Sequence, residues 1–74
     1  MPLYNIEAEI SGTILRLEVA VGDLVEVDDQ VMTIDSMKME IPIFTPRRGR
    51  IKAFLVAEGQ SVQEEQKLVT LEID

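Results

Sequence analysis

The chain contains no cysteine and no histidine. The first absence excludes a disulfide staple and thiolate metal sites. The second removes most zinc sites, Ser-His or Cys-His nucleophilic sets and imidazole acid–base chemistry. Aromatic residues are reduced to Tyr4, Phe44 and Phe54, too few for a platform on which single-stranded bases could stack. Positive charge is scarce: 7 Lys and Arg stand against 14 Asp and Glu, for a net charge of −7. That sign is wrong for neutralising phosphates, so no nucleic-acid partner is expected. No apolar run approaches the length that spans a bilayer, and no basic-then-apolar leader follows Met1. No membrane association is therefore expected, and the cytoplasm is the expected location.

A length of 74 residues predicts one small domain over residues 1–74. Domains of this size bury a limited core and are marginally stable unless something helps. With no cysteine, the help has to come from topology, and a β structure closed against free edges would supply it.

Short runs rich in Val, Ile and Leu recur, separated by Gly, Asp, Gln and Ser. Ile6, Ala8 and Ile10 alternate with Glu7, Glu9 and Ser11, the period of a half-buried strand. Further strands are predicted at Ile14–Val19, Val31–Asp35, Glu40–Phe44, Ile51–Val56 and Leu68–Ile73. Gly12, Gly22, Gly49 and Gly59 punctuate them, at turns expected to need positive φ. Only Val62–Lys67 resembles a helix, and it is too short to stand alone. Pro42 and Pro46 place the segment around them at a sheet edge or in irregular backbone, because proline donates no ladder hydrogen bond. The fold class expected is all-β.

A shift of 37 positions superimposes the two halves. Gly12 falls on Gly49, Ile14 on Ile51, Val19 on Val56, Ala20 on Ala57, Gly22 on Gly59, Val25 on Val62 and Thr33 on Thr70. Apolar residues also match, Leu17 with Phe54, Val31 with Leu68 and Ile34 with Leu71. Two related halves of four short strands predict a two-fold arrangement of two sheets around one core. The counterpart of Lys38 would fall past Asp74. Lys38 therefore lies in the connection between the halves, and the termini are expected at the opposite end of the object.

That connection reads "DSMKMEIPI", Asp35 to Ile43. The strands on either side leave only Ser36, Met37, Lys38 and Met39 for a tight hairpin. Such turns favour Asn-Gly or Asp-Gly, and none of the four is a good turn former. A local departure from turn chemistry marks a candidate functional site. Methionine ordinarily fills cores, yet a turn tip cannot bury both methionines. Lys38 is the only base between Arg16 and Arg47. A Schiff-base lysine needs desolvation or nearby cations, whereas Lys38 has Asp35 and Glu40 as neighbours, which favour the ammonium form. The expectation is an exposed lysine modified by another enzyme.

The segment "SMKMEIP" resembles the acceptor motif of biotinyl domains, whose core is Met-Lys-Met after a small residue. The resemblance covers essentially the whole chain, with "VAVGDLVEVDDQVMTID" before the lysine and "GRIKAFLVAEGQSVQEEQKLVTLEID" after it as the two halves. It implies a flattened β-barrel, or barrel-sandwich hybrid, of two four-stranded antiparallel sheets with quasi-two-fold symmetry. It also implies covalent biotin on the ε-amine of Lys38, attached by a biotin protein ligase from biotinyl-adenylate. The carrier would then serve a biotin carboxylase and a carboxyltransferase, as separate subunits or as domains, without being an enzyme itself. Around Lys38, the residues expected to meet ligase and partners are Met37, Met39, Ser36, Glu40 and Asp35. No catalytic residue and no metal ligand is expected. Ser36 stands where many members have Ala. No thumb insertion interrupts Val19–Gly22, and no Pro/Ala-rich linker precedes Leu3. The chain is thus similar both to small free-standing attachment proteins and to a domain of a larger carboxylase.

Two rivals stay open at this point. A lipoyl domain has the same kind of fold with lipoate on the equivalent lysine, but typically an acid just before it. An unmodified interaction module would leave Lys38 dispensable. Separately, Arg47, Arg48, Arg50 and Lys52 form the one basic cluster, expected either as a solvated face or as a docking patch for an acidic surface.

Overall fold

A computed structural model describes residues 2–73. Eight strands run in the order β1 (Leu3–Glu7), β2 (Gly12–Leu17), β3 (Leu24–Val25), β4 (Gln30–Ser36), β5 (Met39–Phe44), β6 (Gly49–Phe54), β7 (Ser61–Val62) and β8 (Lys67–Glu72). They form two four-stranded antiparallel sheets, β1-β8-β6-β3 and β5-β4-β2-β7. The all-β, two-sheet expectation is met, and among the described residues there is no helix.

The internal repeat governs the topology. Moving 37 positions along the chain turns β1 into β5, β2 into β6, β3 into β7 and β4 into β8, and so turns each sheet into the other. Each half contributes strands to both sheets, so neither half can close a core alone. Hydrogen bonds repeat with the same symmetry. The Asp28 N–H donates to the Thr45 carbonyl at 2.8 Å, and the Glu65 N–H to the Ala8 carbonyl at 2.7 Å.

Between the sheets lies one apolar cluster that includes Ile14, Met32, Ile34, Ile51, Leu68 and Leu71, all essentially without solvent contact. The repeat pairs Ile14 with Ile51 and Ile34 with Leu71, so the core is symmetric as well. Burying a side chain of this size contributes roughly 1.5–3 kcal/mol. No buried side-chain nitrogen or oxygen lacks a partner among the described residues. The buried Thr45 hydroxyl, for instance, donates to the Arg47 carbonyl at 2.6 Å.

Three sequence expectations are corrected. The first strand is Leu3–Glu7, earlier than the alternation from Ile6 to Ser11 suggested. The alternation persists beyond the strand because the Ala8 N–H still bonds the Gln66 carbonyl at 2.8 Å, holding Ala8 in the core after a register shift at Ile6/Glu7. Short strands β3 and β7 are paired segments of two residues, below what periodicity can register. Finally, of the four glycines only Gly22 and Gly59 take positive φ. Gly12 and Gly49 serve close approach instead. A Cβ on either would lie 2.6 Å from a backbone oxygen, that of Asp35 or that of Glu72.

As expected, β5, which holds Pro42, is an edge strand. No helix is long and apolar enough to cross a membrane among the described residues.

Candidate functional site

Strands β4 and β5 pair in the register Ile34↔Ile41, Asp35↔Glu40 and Ser36↔Met39. The turn is therefore Met37 and Lys38 alone. Both take positive φ, 50° and 69°, as a type I′ hairpin turn requires at its two central positions. For residues with a side chain this conformation costs roughly 1–2 kcal/mol each. The sequence supplies neither Asn nor Gly to relieve it.

The root of the hairpin is what holds the turn. Ser36 is only 7% exposed, and its hydroxyl donates to the Ser11 carbonyl at 2.9 Å. Gly12 on β2 lets the backbone of β4 come close, since a Cβ there would meet the Asp35 oxygen at 2.6 Å and Ile34 Cγ2 at 2.7 Å. Above this root the chain leaves the core abruptly. Met37 is 92% exposed and Met39 63% exposed, and Lys38 between them is exposed. The tip presents one amine flanked by two thioethers.

Asp35 and Glu40 face each other across the two strands, an arrangement of like charges that is unfavourable in a sheet. Arg16 on β2 relieves it. Its Nη2 bonds Glu40 Oε1 at 3.0 Å, and its Nε bonds Glu18 Oε2 at 3.3 Å. The hydrogen bond to Glu40, then that to Glu18, holds the guanidinium above its ordinary pKa. Glu18 is held below the usual carboxylate range, first by the Thr33 hydroxyl, which donates to it at 2.6 Å, and then, against the opposing effect of burial, by Arg16. Asp35 and Glu40 stay neighbours of Lys38 in the hairpin, and the ion pair that Glu40 makes is with Arg16. Among the described residues the ion pairs are Arg16–Glu18, Arg16–Glu40 and Arg48–Glu26, and Glu40 is turned toward Arg16.

Of the residues singled out from sequence, Met37, Lys38 and Met39 share the tip, Ser36 is buried opposite Met39, and Asp35 and Glu40 form the rung below. Sequence reasoning missed Ser11, Gly12 and Arg16 as parts of this site. The repeat marked Gly12, but nothing local distinguished close approach from a turn. The basic cluster sits elsewhere, and its three arginines are engaged within the protein while Lys52 is exposed. Arg48 pairs with Glu26 at 3.0 Å, Arg50 Nη1 donates to the Gly22 carbonyl at 2.7 Å, and the Arg47 guanidinium lies 5.4 Å from the centroid of the Tyr4 ring.

A depression of about 760 Å³ lies between the edge strands β1 and β5 and is lined by none of Ser36 to Met39. The lysine is presented on a projection and not enclosed in a pocket. A group so placed can enter another protein's active site.

A family model described as "Biotin-requiring enzyme", that of the biotin/lipoyl family, matches residues 5–74. The chain is 35% identical to a biotin/lipoyl attachment protein of Bacillus subtilis, over 90% of this chain and 92% of that protein. It is 38% identical to a biotin carboxyl carrier protein of Streptococcus mutans, over 86% of this chain and 49% of that protein. Among solved structures, the urea carboxylase of Kluyveromyces lactis matches with a TM-score of 0.91 and 25% identity, over 97% of this chain and 6% of that one. With nearly every described residue inside the family match and the same two-sheet fold found within a carboxylase, the chain belongs to the biotin/lipoyl attachment family.

Proposed function

We propose that Lys38 is the point of covalent biotin attachment and that residues 1–74 act, in the cytoplasm, as a biotin carboxyl carrier without catalytic activity. The observation that supports this best is the presentation of the Lys38 amine at the exposed tip of a two-residue turn built from residues that turns disfavour. The relatives support it as well, since two of them are named for biotin attachment or carriage and a third is a carboxylase.

The residues present fit the group. An exposed primary amine at a tip is accessible to a ligase on all sides, and no ion pair competes for it among the described residues. In attachment, the Lys38 nitrogen attacks the acyl carbon of an activated biotinyl donor. The bond from that carbon to the leaving group breaks, an amide forms, and the amine proton passes to a base on the ligase. Ser36, through Ser11, and the close approach at Gly12 hold the root while this happens. Met37 and Met39 offer an adaptable apolar contact, and Asp35 with Glu40 gives the rim a negative charge that discriminates among partners. When bound, biotin carries an activated carboxyl group between a biotin carboxylase site and a carboxyltransferase site. Tethering it to a compact domain makes each delivery effectively intramolecular.

Lipoate on the same lysine is the second reading, favoured by the double designation of the Bacillus relative. Intact mass after co-expression with a biotin ligase, beside Lys38→Ala, separates the two. One added biotinyl group, lost in the variant, is expected. No addition with the biotin ligase, and addition with a lipoyl ligase, would transfer the function to lipoate.

A further inference from the structure

We propose that Met37 and Met39 form a reversible oxidation site that controls whether Lys38 can be loaded, an inference that rests on the attachment function proposed above. The chain has no cysteine, so sulfur redox chemistry is confined to its 4 methionines. Their environments divide sharply. Met37 is 92% exposed and Met39 63% exposed, whereas Met32 is 0% exposed within the core; Met1 lies outside the described residues. Thioether oxidation follows exposure, so the two sulfurs beside Lys38 react while Met32 is shielded.

The step is a two-electron oxygen transfer from a hydroperoxide. A sulfur lone pair attacks the distal peroxide oxygen, the O–O bond breaks, and the proton of the hydroperoxide passes to the departing oxygen to give an alcohol or water. Sulfur becomes a sulfoxide. A sulfoxide reductase reverses the change, removing the oxygen as water while two thiols become a disulfide.

Local geometry makes this oxidation a signal and not damage. Neither Met37 nor Met39 belongs to the core cluster, so a polar oxygen on them costs the fold no burial. At the tip, however, it converts the apolar, adaptable contacts on both flanks of the amine into polar and chiral ones. The ligase meets those contacts each time it approaches Lys38. Oxidation therefore closes the lysine without touching the lysine.

The test uses the unmodified protein, treated with hydrogen peroxide until peptide mapping shows oxygen on Met37 and Met39. Timed biotinylation by a biotin ligase is then compared with the untreated half of the same preparation. The expected result is one oxygen each on Met37 and Met39 before any on Met32, with an unchanged melting midpoint. Biotinylation should fall at least about tenfold, as a loss of about 1.4 kcal/mol of contact produces, and return after treatment with methionine sulfoxide reductases. In the Met37→Leu/Met39→Leu double variant, the ratio of treated to untreated rates should stay near one, whatever its own untreated rate. Equal rates for oxidised and untreated protein would overturn the proposal, and so would oxidation of Met32 ahead of the other two. An untreated protein that no biotin ligase modifies overturns the attachment function itself, and that is read before any peroxide is added.

Discussion

The β4–β5 hairpin and the β8–β1 strand pair are the same piece of architecture used twice. Asp35 opposite Glu40 corresponds under the repeat to Glu72 opposite Leu3. Gly12 beneath the first matches Gly49 beneath the second, each with a backbone oxygen 2.6 Å from where a Cβ would stand. Supporting turns are duplicated too. Asp28 and Glu65 share a φ near 70°, and side-chain caps run from Asp23 to the Ala20 N–H and from Gln60 to the Ala57 N–H. At the other pole the Ile73 N–H donates to the Pro2 carbonyl at 3.0 Å. The hairpin adds what its counterpart lacks: positive φ on two consecutive side-chain-bearing residues, opposed acids and two exposed methionines. A scaffold that does the same structural task twice shows which features belong to stability and which to the tip.

The comparison can be broken most directly in the core. Ile34→Ala and Leu71→Ala occupy equivalent buried positions, and each should cost about 2–5 kcal/mol. Urea denaturation of the two variants should give closely similar losses; a large disagreement would mean that the halves are not energetically equivalent. Next in size come Gly12→Ala and Gly49→Ala. Each forces a methyl group against backbone, at an expected cost of about 1–3 kcal/mol. Their unfolding free energies should match, while only Gly12→Ala should also slow biotinylation, because only that root carries the lysine.

Met37→Asn sharpens the contrast in the opposite direction. Asn tolerates positive φ, so this change should stabilise the protein by up to about 1 kcal/mol while lowering acceptance by the ligase. Stability that rises together with acceptance would remove the reason for having methionine there. The smallest effect concerns the face behind the hairpin. Glu18 has its pKa lowered in the folded state, so its contribution is present above the ordinary carboxylate pKa and disappears as pH falls through the lowered value. Melting midpoints at neutral and strongly acidic pH should therefore differ less in Glu18→Gln than in the parent chain. The Thr70 hydroxyl, the counterpart of the Thr33 hydroxyl, donates instead to the uncharged Asn5 Oδ1 at 2.7 Å, so Asn5→Ala should leave the acid slope unchanged.

Much of this was legible in the residues. Period-two alternation and the 37-residue repeat predicted the two sheets and their symmetry, because burial on one face imposes its period on the chain. Absence of turn formers around Lys38 pointed to the tip. What the alternation could not register were pairings of two residues, such as β3 and β7, which are too short to have a period. Gly12 and Gly49 looked like turn residues, since a glycine required by a neighbouring strand looks the same in sequence as one required by φ.

The sequence by itself determined the fold class, the equivalence of the halves and the position of the odd lysine, all of which follow from local pattern. Tertiary structure alone decided that Ser36 is buried under the tip while Met37 is out in solvent, one residue away. It also decided that Glu40 answers to Arg16 and not to Lys38. The reason is physical. Exposure and charge partnership depend on which strands lie side by side: β2 pairs with β4 and β4 with β5, and that order brings Arg16 within reach of Glu40, 24 positions along the chain.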